Sequence, residues 1–238
     1  MTLATLPDGK LTETLQAHPL RAMLIEHRLL KAMQAGEMTN AWVELLLSQW
    51  WYPLNNFPVF LGQCVAQLPD ASSRSAVARI LYQETGQGRP DKAHEVIYQT
   101  TMERAGFAVD RIVGAAPLPE TRALIADYEM AASDRYFALG CLAATEFADL
   151  AMVSAIGAAV SWVSGVTDLE WVQIHVEQEP DHVEEADHAL LDSFAADEGA
   201  QVVAAAGRSW RAWIALFDAL AEASGAPIEA RPIAAVTV

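Results

Sequence analysis

Apolar positions along the chain recur every three or four residues, and no stretch alternates apolar and polar in the manner of a strand. The spacing predicts helix nearly throughout. Pro19 suits a first helical position, and the pattern runs from there to about Ala35, ahead of Gly36. A second helix is expected from Thr39 or Asn40 to Tyr52, stopped by Pro53. A third covers roughly Asn55 to Leu68, interrupted at Pro58. Ser72 or Ser73 would cap a fourth, with Val77, Ile80 and Leu81 on one face. The Gly-Gln-Gly-Arg-Pro segment from Gly86 to Pro90 breaks it, and Pro90 opens a restart to about Arg104.

Pro117 and Pro119 open a helix from Glu120 to about Leu139. Gly140 punctuates it before an apolar run that continues to Ser164. Thr167 and Glu170 form a capping-box pattern at the head of the next helix, expected to reach about Ala196 with a kink near Pro180. Gly199 would separate it from a last helix, Gln201 to Ala223, and the two-proline tail from Gly225 to Val238 reads as extended. No repeat or long linker interrupts the pattern. The expectation is an all-α chain of about seven helices in a single domain spanning residues 1–238.

Composition narrows what such a chain can do. It has 238 residues, 53% of them hydrophobic, and 31 acidic against 15 basic residues give a formal charge of −16. That length buries a core without needing a disulfide. The charge argues against nucleic acid and against anionic membrane surfaces, both of which call for clustered Lys and Arg. Leu150 to Val166 is apolar enough to raise the question of a membrane span, but it is about 17 residues long and Glu146 and Asp149 precede it. It reads as an Ala-rich core helix. Cys64 and Cys141 stand alone in apolar runs and read as buried thiols of a cytoplasmic protein without a secretory signal. A small-molecule substrate remains as the natural partner. The sequence leaves the oligomeric state open, a homodimer included.

The candidate chemistry lies in acids and imidazoles. His175, Glu179 and His182 are spaced i, i+4, i+7, which places them within about 60° of one another on a helix. Two imidazoles and a carboxylate suit iron, manganese or zinc. Glu146 interrupts an apolar helix, where a lone ionised carboxylate is costly unless paired. Glu84 and His94 flank the Gly86–Pro90 break, which can aim both inward. The set of Glu84, His94, Glu146, His175, Glu179 and His182 would balance two divalent ions and one hydroxide, +4 against −3 and −1. The other histidines have plainer readings: His188 points away from His182, and His18 and His27 belong to the surface. Trp50, Trp51, Tyr52, Phe57 and Phe60 belong to the core, while Tyr82 and Tyr98 flank the proposed ligands.

The order Glu84, nine residues, His94, then Glu146, then His175-xxx-Glu179-xx-His182 resembles the heme-oxygenase-like diiron oxidases. The segments WYPLNNFPVFLGQ and Glu84-Thr-Gly-Gln-Gly are similar to that group too, and the likeness runs from about Ala41 to Ser193. The resemblance implies a seven-helix bundle of the heme oxygenase type, without heme. It implies that the six residues are iron ligands and that two Fe(II) ions activate O2 as co-substrate. Such enzymes cleave C–C bonds of fatty acids or amino acids, or oxygenate nitrogen, in natural-product pathways. Two departures stand out: Glu179 takes the place of a usual Asp and is followed by Pro180, and WYPLNNFPVFL offers no acid where some N-oxygenating members use one. Glu44 is farther back. The missing acid favours a six-ligand, carbon-centred oxidase over an N-oxygenase.

Other classes fit less of the pattern. A ferritin-like site draws a Glu and a Glu-xx-His from separate helix pairs, but Glu84 and Asp91 are too close in sequence for that and His175 would be idle. A metal-free member of the same fold would be a cofactor-forming oxidase, or a thiaminase-type hydrolase with Cys141 as its nucleophile near Glu146. A non-catalytic helical protein leaves the six residues unexplained. Residues 84–94 have poor helix propensity, so the segment is expected to settle onto bound iron. Hydrogen exchange across it should slow when ferrous iron is added; equal rates with and without iron would refute that expectation.

Overall fold

The computed structural model describes residues 11–191 and 196–223, apart from the side chains of residues 179, 191, 196 and 197. The tail from Gly225 lies outside the described residues. Those described contain no strand. They form α1 (Leu11–Gln16), α2 (Pro19–Ile25), α3 (Arg28–Gln34), α4 (Asn40–Gln67), α5 (Ala71–Glu84), a 3-10 turn (Pro90–Lys92), α6 (His94–Arg104), α7 (Val109–Gly114), α8 (Pro119–Ala131), α9 (Arg135–Ser164), α10 (Glu170–Leu191) and α11 (Ala196–Ala223). The all-α expectation holds, with eleven helices among the described residues rather than about seven. The additional pieces are short ones of six or seven residues.

The boundaries show which local forces win. Pro53 and Pro58 were expected to end helices, yet α4 runs straight through both. Its buried positions explain this: Val43, Leu46, Leu47, Trp50, Pro53, Leu54, Phe57, Leu61 and Cys64 keep one helical face across the prolines. Burying each large side chain contributes about 1.5–3 kcal/mol, which together outweighs a cost of about 3 kcal/mol per proline. Conversely, the single helix expected from Pro19 is two. His27 ends the run because its ring Nδ1 accepts the N–H of Leu29 and caps α3. The ring is buried near Asp218, not on the surface. His18 caps α2 in the same way.

The break expected at Gly140 falls earlier. Asp134 accepts the N–H groups of Tyr136 and Phe137 and starts α9 there. Gly140 lies inside α9, where a Cβ would sit 2.5 Å from the Val202 carbonyl oxygen and 2.6 Å from the Ala205 Cβ. Glycine is needed for the close approach of α11. Asp70, not Ser72 or Ser73, caps α5 through the Ser73 N–H. Glu170 is the first residue of α10 rather than the third, so no capping box forms with Thr167; its carboxylate instead meets Lys92 and Arg104. The helix continues through Pro180 and is described as far as Leu191, while Gly199 falls inside α11.

α9 is the axis of the bundle, packed against α1, α2, α3, α4, α8, α10 and α11. Most of its length is buried, which is why its composition resembles a membrane span; 78% of its most apolar window is covered by the other helices. Cys64 and Cys141 are buried free thiols. Two buried polar staples fix α4. Trp42 Nε1 donates to the Leu220 carbonyl, and Gln49 Oε1 accepts from the Leu118 N–H and the Thr121 hydroxyl. Helix propensity alone makes Gly140→Ala stabilising by about 1 kcal/mol. The clash with α11 reverses the sign, so denaturant unfolding of Gly140→Ala should show a net loss of about 1–3 kcal/mol.

Candidate metal centre

Four helices deliver the site. Glu84 is the last residue of α5 and His94 the first of α6, so the Gly86–Lys92 connection turns both into the bundle. Gly86 makes this turn possible: its φ is +81°, and a Cβ there would lie 2.2 Å from the Arg89 carbonyl oxygen. Glu146 comes from the middle of α9, and His175 and His182 share one face of α10. All five side chains are buried. The Glu179 side chain lies outside the described residues, although its backbone belongs to α10 between the two histidines.

The five converge. One ligand atom each from Glu84, His94 and His175 can be chosen within 4.8 Å of one another. His94 Nδ1 is 3.0 Å from Glu84 Oε2. His182 Nδ1 is 3.5 Å from Glu146 Oε2 and 3.9 Å from Glu84 Oε1. The His94 ring lies 4.8 Å from that of His175 and 6.4 Å from that of His182, centroid to centroid. Among the described residues, His94 Nε2, His182 Nε2 and Glu146 Oε1 have no hydrogen-bond partner. Buried polar atoms are seldom left that way, and a cation with oxygen and nitrogen ligands would satisfy them.

His175 is held from behind. Its Nδ1–H donates to the Trp171 carbonyl at 2.7 Å, which leaves Nε2 as the free lone pair. Trp171 is itself fixed: its N–H donates to Thr101 Oγ1, and its ring packs against Trp50, Tyr98 and His175. Tyr98 OH donates to the Leu47 carbonyl. Tyr98 thus supports the site from behind, whereas Tyr82 is exposed and donates to the Gln87 carbonyl.

Burial alone would make the Glu84 carboxyl harder to ionise; the facing His94 ring, with His182 and His175, outweighs it and holds Glu84 down to about 2. Burial, and then His94, lowers His175 to about 4. Burial also pulls His182 down, but Glu146, Glu84 and Asp149 overcome it and raise it to about 9. Carboxylates and imidazoles thus perturb one another throughout the cluster.

A cavity of about 30 Å³ adjoins the cluster, walled by Glu84, Glu146, His175 and His182 and by apolar groups including Leu54, Phe57 and Trp213. Trp50 and Phe57, read as core, also belong to this wall. Asp149 and Tyr128 line it as well and were not singled out from sequence. Asp149 could have been, as it lies one helical turn beyond Glu146. Glu44 pairs with Arg111 and does not line the cavity. Nor does Cys141, whose thiol burial pushes well up. His188 is exposed and bonds to Ser72.

The chain belongs to the family of iron-containing redox enzymes, which matches residues 44–214. Its fold is heme-oxygenase-like. A domain of unknown function with a heme oxygenase-like fold from Shewanella denitrificans superposes with a TM-score of 0.73 at 16% identity, covering 95% of this chain and 99% of that one. A CADD-like protein of unknown function from Nostoc punctiforme gives 0.74 at 16% identity, over 90% and 95% of the two chains. A TenA homolog from Pseudomonas syringae gives 0.73 at 14% identity, over 93% and 98%. At these identities the likeness concerns the fold alone. No curated protein matches the chain.

The raised His182 fixes the sign of one pH effect. A proton held more tightly when folded stabilises fully below the ordinary value of 6.5, and that stability is lost as pH rises through about 9. Urea unfolding of the metal-free protein should therefore show falling stability across that window. His182→Gln should flatten the fall.

Proposed function

We propose that Glu84, His94, Glu146, His175, Glu179 and His182 hold two iron ions and that the protein is a non-heme diiron oxidase using O2 to oxidise a small amino-acid-like or fatty-acid-like substrate. The observation that supports this most is the convergence of Glu84, His94, Glu146, His175 and His182, from four helices, into one buried cluster with unpaired ligand atoms. Nitrogen and carboxylate ligands of this kind suit iron. The match to iron-containing redox enzymes supports the choice of metal.

Iron bound there would supply the activation of dioxygen. The chain supplies the setting. Trp171 holds His175 in the tautomer that presents Nε2. Glu84 is kept ionised by the imidazoles around it and so remains a ligand across the working pH range. Leu54, Phe57 and Trp213 keep bulk water from the reacting atoms. Glu44, paired with Arg111, does not supply a seventh ligand, which favours C–C or C–N cleavage over N-oxygenation. The thiol of Cys141 is buried away from the cavity and unsuited to a thiaminase-type role.

Anaerobic loading with ferrous iron, followed by mixing with oxygen, tests the reading. About two irons should bind per chain, and a transient visible absorption band should appear on mixing. Glu146→Ala and His175→Ala should lose iron and band together. Absence of iron binding, or iron binding unchanged in both variants, would overturn the diiron assignment.

A further inference from the structure

His94 also walls a second cavity. It measures about 350 Å³ and lies between the end of α5, the Gly86–Lys92 connection, the start of α6 and α10. The inner cavity, at about 30 Å³, has the room of roughly one water molecule. The second falls in the range of small-ligand sites, about 300–1,000 Å³. A substrate that reaches the cluster from the larger space would meet His94 first.

The chemistry of its wall is unusual for this protein. In a chain of charge −16, the wall brings together Arg89 and Lys92, with Arg104 close behind. Glu170 is the only acid in the lining, and its two oxygens are shared by Lys92 at 2.9 Å and Arg104 at 3.7 Å. Asp91 and Glu95 flank the segment without lining the cavity. The Arg89 guanidinium has no ion pair or hydrogen bond among the described residues, which leaves it free to bind an anion. Gln83 and Gln178 complete the polar wall, and the Oε1 of each is buried without a partner. A carboxamide with an unpaired end can turn over to offer a ligand either its oxygen or its NH2. Ile97 and Ile174 leave only a small apolar area. The connection that borders the cavity includes Gln87 at a φ of +56°, a left-handed conformation that a non-glycine residue adopts at a cost.

We infer that this cleft binds a small carboxylic acid that also bears an amino or hydroxyl group, with the carboxylate on Arg89 and Lys92 and the second polar group on Gln83 and Gln178. It selects such a molecule over a long apolar acid, because the wall could not bury an alkyl chain without stranding its charges. As the identity of the substrate this rests on the diiron reading; as a binding site it does not.

Calorimetric titration of the full, metal-free chain separates the two. The probes are the standard L-amino acids, L-lactate, acetate, decanoate, and the amines left when the amino acids lose their carboxyl group. At least one amino or hydroxy acid should bind. Acetate, decanoate and the amines should bind at least about tenfold more weakly, and Arg89→Ala and Gln178→Ala should each weaken binding about tenfold or more. Ferrous iron uptake by Arg89→Ala should match the parent. Iron uptake without binding of any amino or hydroxy acid would overturn the cleft and leave the diiron reading standing, and so would binding indifferent to both variants. Probe binding without iron uptake would sustain the cleft and overturn the diiron reading.

Discussion

Buried charge in search of compensation governs this molecule. Glu84 and Glu146 lie inside an apolar bundle, where an unpaired carboxylate costs several kcal/mol. Their partners in the described structure are imidazoles, and His182 takes up a proton to face both. That arrangement leaves ring nitrogens and a carboxylate oxygen unpaired. The same groups that are costly to bury are those a divalent cation binds best. Stability without metal and readiness for metal thus pull on one set of atoms.

The rest of the fold keeps these atoms in place. α9 carries Glu146 at its centre and packs against seven other described helices, so it cannot shift without disturbing the whole core. Gly140 lets α11 lie close against it. α10 presents His175 and His182 on one face, and its first turn is tied to α6 by Thr101 and to the basic wall by Glu170. Trp171 links these tasks, since its carbonyl orients His175 while its ring packs on Trp50 and Tyr98. The groups of the cluster are positioned by backbone and aromatic packing more than by other charges.

Much of this was legible in the sequence because the responsible signals are local or periodic. The spacing of His175 and His182 fixes their common face, and the Gly-Pro break between Glu84 and His94 marks a turn. Glu146 stands out against its apolar neighbours. What escaped was decided by tertiary contacts or by single capping side chains. Pro53 and Pro58 look like stops until the continuous buried face of α4 is seen. Asp134 and His27 set boundaries through one or two hydrogen bonds each. Asp149 reads as one more acid at the end of a motif until it is seen in the cavity wall. The larger cavity draws its wall from two stretches, residues 83–97 and 170–178, which the sequence alone does not bring together.

The turn between Glu84 and His94 has a thermodynamic consequence. The same short stretch of backbone brings two groups to the inner cluster and forms part of the outer wall. Whatever free energy one guest spends in ordering that stretch is spared a guest in the other place. Linkage makes the effect reciprocal: if the first occupant tightens the second, the second must tighten the first by the same factor. A centre built in this way would hold its metal most firmly when there is something for the metal to act upon.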